Sequence, residues 1–266
     1  MFISNSTCYS ANKQVTLWQY RELLKNLTIA ELKNKYQNTG LGFIWSILSP
    51  FLFALVLYFV FRFLFMQEKN FPAYLLVGMM AWRFFSMGTT SSVYSVAGKP
   101  SLVTKVSIPR EILVLSTLLA NLVSSLLEFI VLIPILFILL PELPWTLLLF
   151  PLVHLVFFWF IYGIALFLGA LFVYFRDINQ IWEVLINILF FLSPIVYPMV
   201  AITERTMPFY QANPVTAAIM IYRDLMIYGN MPSLYNMGIL AICSLLSFLI
   251  GSFVFSKLQR RFAEAI

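Results

Sequence analysis

Long apolar stretches alternate with short polar ones along the whole chain. No Asp, Glu, Lys or Arg occurs at 36–61, 112–127, 143–175, 184–203 or 225–256. A helix needs roughly 20 apolar residues to cross about 30 Å of hydrocarbon. The pattern therefore predicts six spans, at about 42–66, 73–96, 111–140, 145–174, 180–198 and 236–256. The third and fourth exceed a straight crossing. Tilt, a kink at Pro134 or Pro151, or extension past the bilayer absorbs the excess. The predicted fold class is an all-α membrane protein.

Three segments depart from simple spans. Over 16–36, Leu17, Tyr20, Leu23, Leu24, Leu27 and Ala30 recur at helical spacing, and Arg21, Glu22, Lys25 and Lys33 lie off that stripe. With Trp18 and Tyr20 suited to the headgroup zone, this reads as an amphipathic helix on the inner leaflet. A helix packed on a soluble partner is the other reading. Over 97–111, AGKPSLVTKVSIPRE, Gly98, Pro100 and Pro109 punctuate a basic stretch. It holds one or two helical turns, or is a plain basic loop. Over 199–235, Met207, Pro208, Phe209, Tyr210, Pro214, Met220 and Tyr222 keep the chain apolar. So long a loop without structure is unusual. It reads as short helices turning back toward the membrane on protein-covered surface, broken at Asn213-Pro214 and helical over 215–228.

Composition narrows the class further. The chain has 266 residues, 61% hydrophobic and 11% charged, which excludes an ordinary soluble enzyme or a disordered chain. The start, MFISNSTCYSANKQ, has no basic, apolar and cleavage regions of a signal peptide. Cys8 and Cys243 are too far apart to give a disulfide framework or metal spacing. The net charge of +6 reflects basic loops better than nucleic-acid binding. With the N-terminus inside, the cytoplasmic segments hold twelve Lys and Arg and the outer loops three, so both termini are expected in the cytoplasm.

Catalytic chemistry is hard to find. No phosphate loop occurs: Gly98-Lys99-Pro100 has Val93 where the first glycine belongs and no hydroxyl after the lysine. Gly-x-Ser-x-Gly is absent, and no His, Cys and carboxylate cluster suggests a metal. The single histidine, His154, reads as a plain span residue. Glu68, Glu142, Glu204 and Asp224 are scattered among the outer loops. Arg62 sits where it can snorkel to the interface. Arg83 and Glu128 lie deeper, each at a cost of about 2.5–3.5 kcal/mol at a helix centre. They either pair with one another or line a water-filled path. The 27 Phe, 13 Tyr and 6 Trp face lipid, form interfacial belts, or stack on sugar rings in a channel.

Four stretches carry a family resemblance: IAELKNKYQNTGLGFIWSILSP (29–50), VSIPREILVLS (106–116), YFRDINQIWEVLINILFFLSPIVYP (174–198) and NPVTAAIMIYRDLMIYG (213–229). In this order they make the chain, over about 18–262, resemble the permease subunit of polysaccharide-exporting ATP-binding cassette transporters of the ABC-2 type, the exporters of O-antigen, capsule and teichoic acid. The resemblance implies a homodimer in a prokaryotic plasma (inner) membrane, bound to two cytoplasmic ATPase subunits that hold ATP and Mg and do the hydrolysis, with no cofactor or metal on this chain. It implies six transmembrane helices plus an N-terminal amphipathic interface helix, a cytoplasmic coupling helix and short outer re-entrant gate helices. The organisation is then a cytoplasmic tail over 1–41, a six-span domain over 42–256 with a coupling loop (97–110) and an outer gate segment (199–235), and a cytoplasmic tail over 257–266.

By the same resemblance, Lys99, Pro100, Lys105, Pro109 and Arg110 are expected to contact the ATPase. Arg176 and Asp177 match an Arg-Asp at a cytoplasmic turn, where they are expected to pair. Arg223-Asp224 is expected to do similar work outside. Trp45, Tyr58, Trp182 and Tyr197 are candidate channel aromatics. The expected function is export of a lipid-linked glycan through a channel between two protomers, by a transporter subunit without an enzymatic site of its own. An ABC exporter of a small molecule or drug, a membrane glycan-modifying enzyme and a proton-driven secondary transporter relying on Glu128 are the rival readings.

Overall fold

The computed structural model describes residues 20–37, 43–63, 70–106, 108–140, 142 and 144–265. Among them every regular element is helical: α1 (Arg21–Tyr36), α2 (Phe43–Phe61), α3 (Phe71–Val93), α4 (Pro100–Lys105), α5 (Glu111–Leu139), α6 (Phe150–Tyr174), α7 (Ile178–Phe191), α8 (Met207–Gln211), α9 (Pro214–Arg223), α10 (Leu234–Leu258) and α11 (Phe262–Ala265). Among the described residues, three stretches are long and apolar enough to cross a membrane: Glu111–Leu139, Trp145–Tyr174 and Leu234–Ala265. Leu48–Phe61 and Ile178–Phe191 are shorter apolar helices. The fifth predicted span thus ends earlier than expected. Pro194 disfavours helix at the residue before it, and α7 stops at Phe191.

Helix α3 is the axis of the bundle, touching α2, α5, α6, α7 and α9. Most of its residues are buried, including Leu75, Val77, Ala81 and Phe85. Its second half is rich in hydroxyls, and these bond back along the helix: Thr89 Oγ1 to Phe85 O at 2.9 Å, Ser91 Oγ to Met87 O at 2.6 Å, Ser92 Oγ to Gly88 O at 2.6 Å. Such back-bonding satisfies a hydroxyl where water is absent.

The tightest helix pair is α6 with α10. Gly163 and Gly251 face each other so closely that a Cβ on either would run into backbone of the opposite helix. Ser244 Oγ donates to Val156 O at 3.1 Å and Ser247 Oγ to Phe160 O at 3.0 Å across the same seam. Small residues on one face allow this approach, as between helices in membranes generally.

One end of the bundle gathers α4, the turn at 175–177 and α11. The opposite end gathers the turn Trp145–Leu149, α8, α9 and the π-helical turn Asp224–Tyr228. Thr146 Oγ1 ties that turn to Leu225 O at 2.8 Å. Gly229, at φ 68°, closes it in the left-handed conformation that glycine adopts without strain.

Candidate functional site

Around α4 the basic residues expected to face a partner divide into two sets. Pro100, Ser101, Thr104 and Lys105 are exposed, while Val103 turns inward. Lys99 and Arg110 are committed inside the chain. The Lys99 ammonium pairs with Glu31 of α1. The Arg110 guanidinium donates to Gln259 O at the end of α10. Pro109 is half-buried just before α5. The outward face of α4 is therefore Pro100, Ser101, Thr104 and Lys105, and the two flanking cations hold it to α1 and α10.

Helix α1 lies along α5. The ridge it turns inward runs through Leu23, Leu24 and Leu27, then through Glu31, Lys35 and Tyr36; Ala30, expected on the apolar stripe, is exposed. Lys35 Nζ donates to Asn121 Oδ1 at 3.3 Å, Tyr36 Oη to Ser124 Oγ at 2.8 Å, and Asn121 Nδ2 to Ser91 Oγ at 2.6 Å. Burial draws the Lys35 ammonium below its ordinary pKa. Above this cluster Arg83 Nε and Glu128 Oε1 form an ion pair at 3.2 Å, the Glu128 side chain 5% exposed and that of Arg83 21%. Pairing removes the need for either charge to face lipid. Residues 16–19 of the predicted amphipathic helix lie outside the described residues.

Arg176 and Asp177 do not form the expected pair. Both are exposed in the turn between α6 and α7, make no ion pair among the described residues, and Arg176 lies over the Phe172 ring at 5.1 Å. The second Arg-Asp differs altogether. Arg223, read from the sequence as a loop charge, is fully buried. Its guanidinium donates to Pro194 O at 2.7 Å, Ile195 O at 2.9 Å and Tyr74 O at 3.3 Å, and stacks on the Tyr74 ring. Gly78 leaves room for it: a Cβ there would meet the guanidinium. The rigid fork of arginine suits several carbonyls at once. It fastens α9 to α3 and to the turn after α7. His154 Nδ1 and Tyr222 Oη, 2.7 Å apart, make a second tie between α6 and α9. Burial raises the Asp224 carboxyl to about 6.

The four aromatics expected to line a channel are not brought together. Trp45 is exposed on α2. Tyr58 is half-buried beside Phe71, with Arg62 over its ring at 5.7 Å. Tyr197 Oη bonds to Phe191 O at 2.5 Å, and Tyr197 O accepts from Tyr74 Oη at 2.9 Å. Trp182 points into the bundle: its Nε1 donates to Thr89 Oγ1 at 3.1 Å and its ring meets Phe85. It is half-buried and packs against the core because it shares the inward face of α7 with Ile186.

The outward face of α7 carries what the sequence reading passed over. Gln180, Glu183 and Asn187 are exposed, with Asn179 beside them, and Asn179 Nδ2 bonds to Glu183 Oε1 at 2.9 Å. Positions 179, 183 and 187 fall one turn apart, so they form a single polar stripe. Large apolar side chains, Ile181, Val184, Leu185 and Ile188, flank it and are exposed too. The spacing was visible in the sequence. The uncharged run begins only at 184, so Glu183 falls outside it and the run alone does not report the stripe.

The sequence profile of the ABC-2 type transporter family matches residues 22–227. The chain is 30% identical, over 94% of its length and 97% of the relative's, to the O-antigen export system permease protein RfbA of Myxococcus xanthus. It is 29% identical, over 92% of its length and 95% of the relative's, to the protein of the same name from Klebsiella pneumoniae. Similarity extends, at 23% identity over 85% of this chain and 89% of the relative, to the polysialic acid transport protein KpsM of Escherichia coli.

Proposed function

The chain belongs to the ABC-2 type transporter family, and on that premise we propose that it is the membrane subunit of an ATP-driven exporter of a lipid-linked polysaccharide, acting as a homodimer in a prokaryotic plasma membrane. It is a transport subunit, and ATP and Mg bind a separate cytoplasmic ATPase, two copies per transporter. Six spans, formed by α2, α3, α5, α6, α7 and α10, place both termini inside. The end holding α4 then faces the cytoplasm, and the end holding α8 and α9 faces out.

The polar stripe of α7 is the observation that carries the channel. A polysaccharide cannot cross hydrocarbon, because each hydroxyl would lose its hydrogen bonds with water. Glu183 and Asn187 point away from the chain's own core on a helix flanked by apolar residues, with the half-buried Asn179 bonded to Glu183. Facing lipid, they would carry the same cost. Facing the matching stripe of a second copy, they line a wet path with amide and carboxylate groups that bond to sugar hydroxyls. The exposed face of α4 supplies the ATPase contact. Movement there reaches α1 through Lys99 and Glu31, and α10 through Arg110. Closure of the ATPases thus tilts helices as rigid bodies.

A mild-detergent pull-down of the tagged chain from its native membranes tests the reading, with mass spectrometry of co-purifying proteins and glycans. A stoichiometric ATPase and loss of a surface glycan on deletion of the chain are the expected results. A chain that emerges alone, from membranes where known complexes survive that detergent, with the surface glycan unchanged on deletion, overturns it.

A further inference from the structure

Between α8, α9 and the start of α10 lies a cavity of about 270 Å³. This is close to the lower end of ligand pockets, roughly 300–1,000 Å³. Three methionines, Met199, Met207 and Met220, supply its apolar wall, and Gln211, Thr216 and Asn236 contribute amide and hydroxyl groups. Thr216 is 2% exposed, and its Oγ1 has no hydrogen-bond partner in the protein. Ser125 Oγ on α5 is likewise buried without a partner, whereas hydroxyls such as those of Thr89, Ser116 and Ser244 bond to helix carbonyls. A buried hydroxyl left unpaired costs stability. Valine has the same shape without that cost, so the position is the wrong choice for packing alone.

We propose that this cavity binds a neutral sugar residue of the exported glycan, with Thr216 Oγ1 as a hydrogen-bonding group at its floor. The proposal rests on the glycan-export reading and adds a site to it. Charge decides against a phosphate or an anionic headgroup: among the described residues no charged side chain lines the cavity. Polarity decides against an acyl chain, which would leave the buried Thr216 hydroxyl without a partner. A pyranose suits both halves, with hydroxyls for the amides and C–H faces for the thioethers, which adapt their shape. Tyr235, exposed at the rim, offers a ring for the same C–H faces. Since α8 and α9 stand at the outer end, the site would hold the chain as it emerges. A sugar bound there resists backward sliding while the ATPases reset.

The test is photo-cross-linking in the intact transporter in native membranes. The cross-linkable residue p-benzoylphenylalanine replaces Met207 in one strain and Asn187, on the α7 stripe, in another. Adducts are identified by mass spectrometry. A glycan adduct at position 207 is expected, and Thr216→Val should lower its yield about fivefold, the worth of one hydrogen bond. The amount and thermal stability of the Thr216→Val protein should not fall, which separates lost binding from lost folding. A phospholipid adduct, an adduct with a second copy of the chain, or no adduct at position 207 overturns the site whatever position 187 shows. So does a glycan yield that Thr216→Val leaves unchanged. The export reading is judged separately, by the glycan adduct at position 187 and by loss of the surface glycan on deletion.

Discussion

Two helices of similar apolar character, α10 and α7, are held in opposite ways. Helix α10 lies backbone against backbone on α6 through Gly163 and Gly251, with Ser244 and Ser247 donating across the seam. Helix α7 meets the rest of the chain through Trp182, Ile186 and Phe190, and turns its polar stripe outward. The first arrangement has no slack, because neither helix has a side chain that can move aside. The second leaves a whole face unused within the protomer. Helix α2 resembles α7 in this respect, with Leu52, Phe53, Val56, Phe59 and Val60 exposed. The contrast separates a fixed unit, α3, α6, α9 and α10, from surfaces kept for lipid and for a second copy.

The largest effect is expected at the seam. Gly251→Leu drives a side chain into the Gly163 backbone, and overpacking without relief should cost more than about 3 kcal/mol. Size-exclusion chromatography in detergent should show loss of the folded species, and Gly251→Ala a smaller loss. A monodisperse Gly251→Leu protein of normal thermal stability would remove α6 and α10 from the fixed unit. Arg223→Met comes next. It strips the carbonyls of Pro194, Ile195 and Tyr74 of their donor, at about 3 kcal/mol. Arg223→Lys keeps the charge but not the fork and should recover only part of it. A thermal melt reads both, and equal melts for Lys and wild type would sink the account of the fork.

These two residues show where the sequence was readable and where it was not. The apolar runs disclosed α5, α6 and α10, because a lipid-crossing helix is defined by composition alone. The motif stretches disclosed the family. Neither reports rotation about a helix axis. Trp182 and the α7 stripe lie on one helix, and which side faces inward is decided by packing on Phe85 and Thr89, residues more than ninety positions away. Arg223 counted as a loop cation for the same reason: only the fold brings Tyr74 and Pro194 to it. The serine and glycine spacing of α10 was legible in principle, as a small-residue stripe at 244, 247 and 251, but α6 had to be known as its partner.

The exposed surfaces should respond in function rather than in folding. Replacing Glu183 and Asn187 together by leucine removes the stripe while touching no core contact. Stability should stay within about 0.5 kcal/mol, as for surface changes elsewhere. Glycan export, read from surface glycan per unit of protein, should fall about tenfold as the wet path loses its hydrogen bonds. Unimpaired export would return α7 to lipid. At the other end, Lys105→Glu reverses an exposed charge on α4 and should weaken ATPase association a few-fold, more so at low salt. Arg110→Glu should instead lower stability, because Arg110 is bonded to Gln259. If the two variants behave alike, the division of this loop into an outward face and internal ties is wrong.

The smallest effect distinguishes fixed from free within the outer segment itself. Burial raises the Asp224 carboxyl from 3.8 to about 6, so the folded turn prefers the neutral acid. A group whose pKa is raised on folding stabilises most below its unfolded value, and that stability is lost as pH rises through the folded one. The turn Asp224–Tyr228 should therefore be firmest below about pH 4 and loosen progressively up to about pH 6 and slightly beyond. The carboxyl is only partly buried, so solvent limits the change to at most about tenfold in opening. Hydrogen exchange over 215–230, corrected for its intrinsic pH dependence, reads this directly. Asp224→Asn should abolish the slope while leaving protection at α9, which Arg223 and Tyr222 hold independently. A slope that persists in Asp224→Asn would place the titrating group elsewhere. A loss of protection in α9 as well would show that the turn and the helix open as one unit, moving the boundary of the fixed part to Arg223.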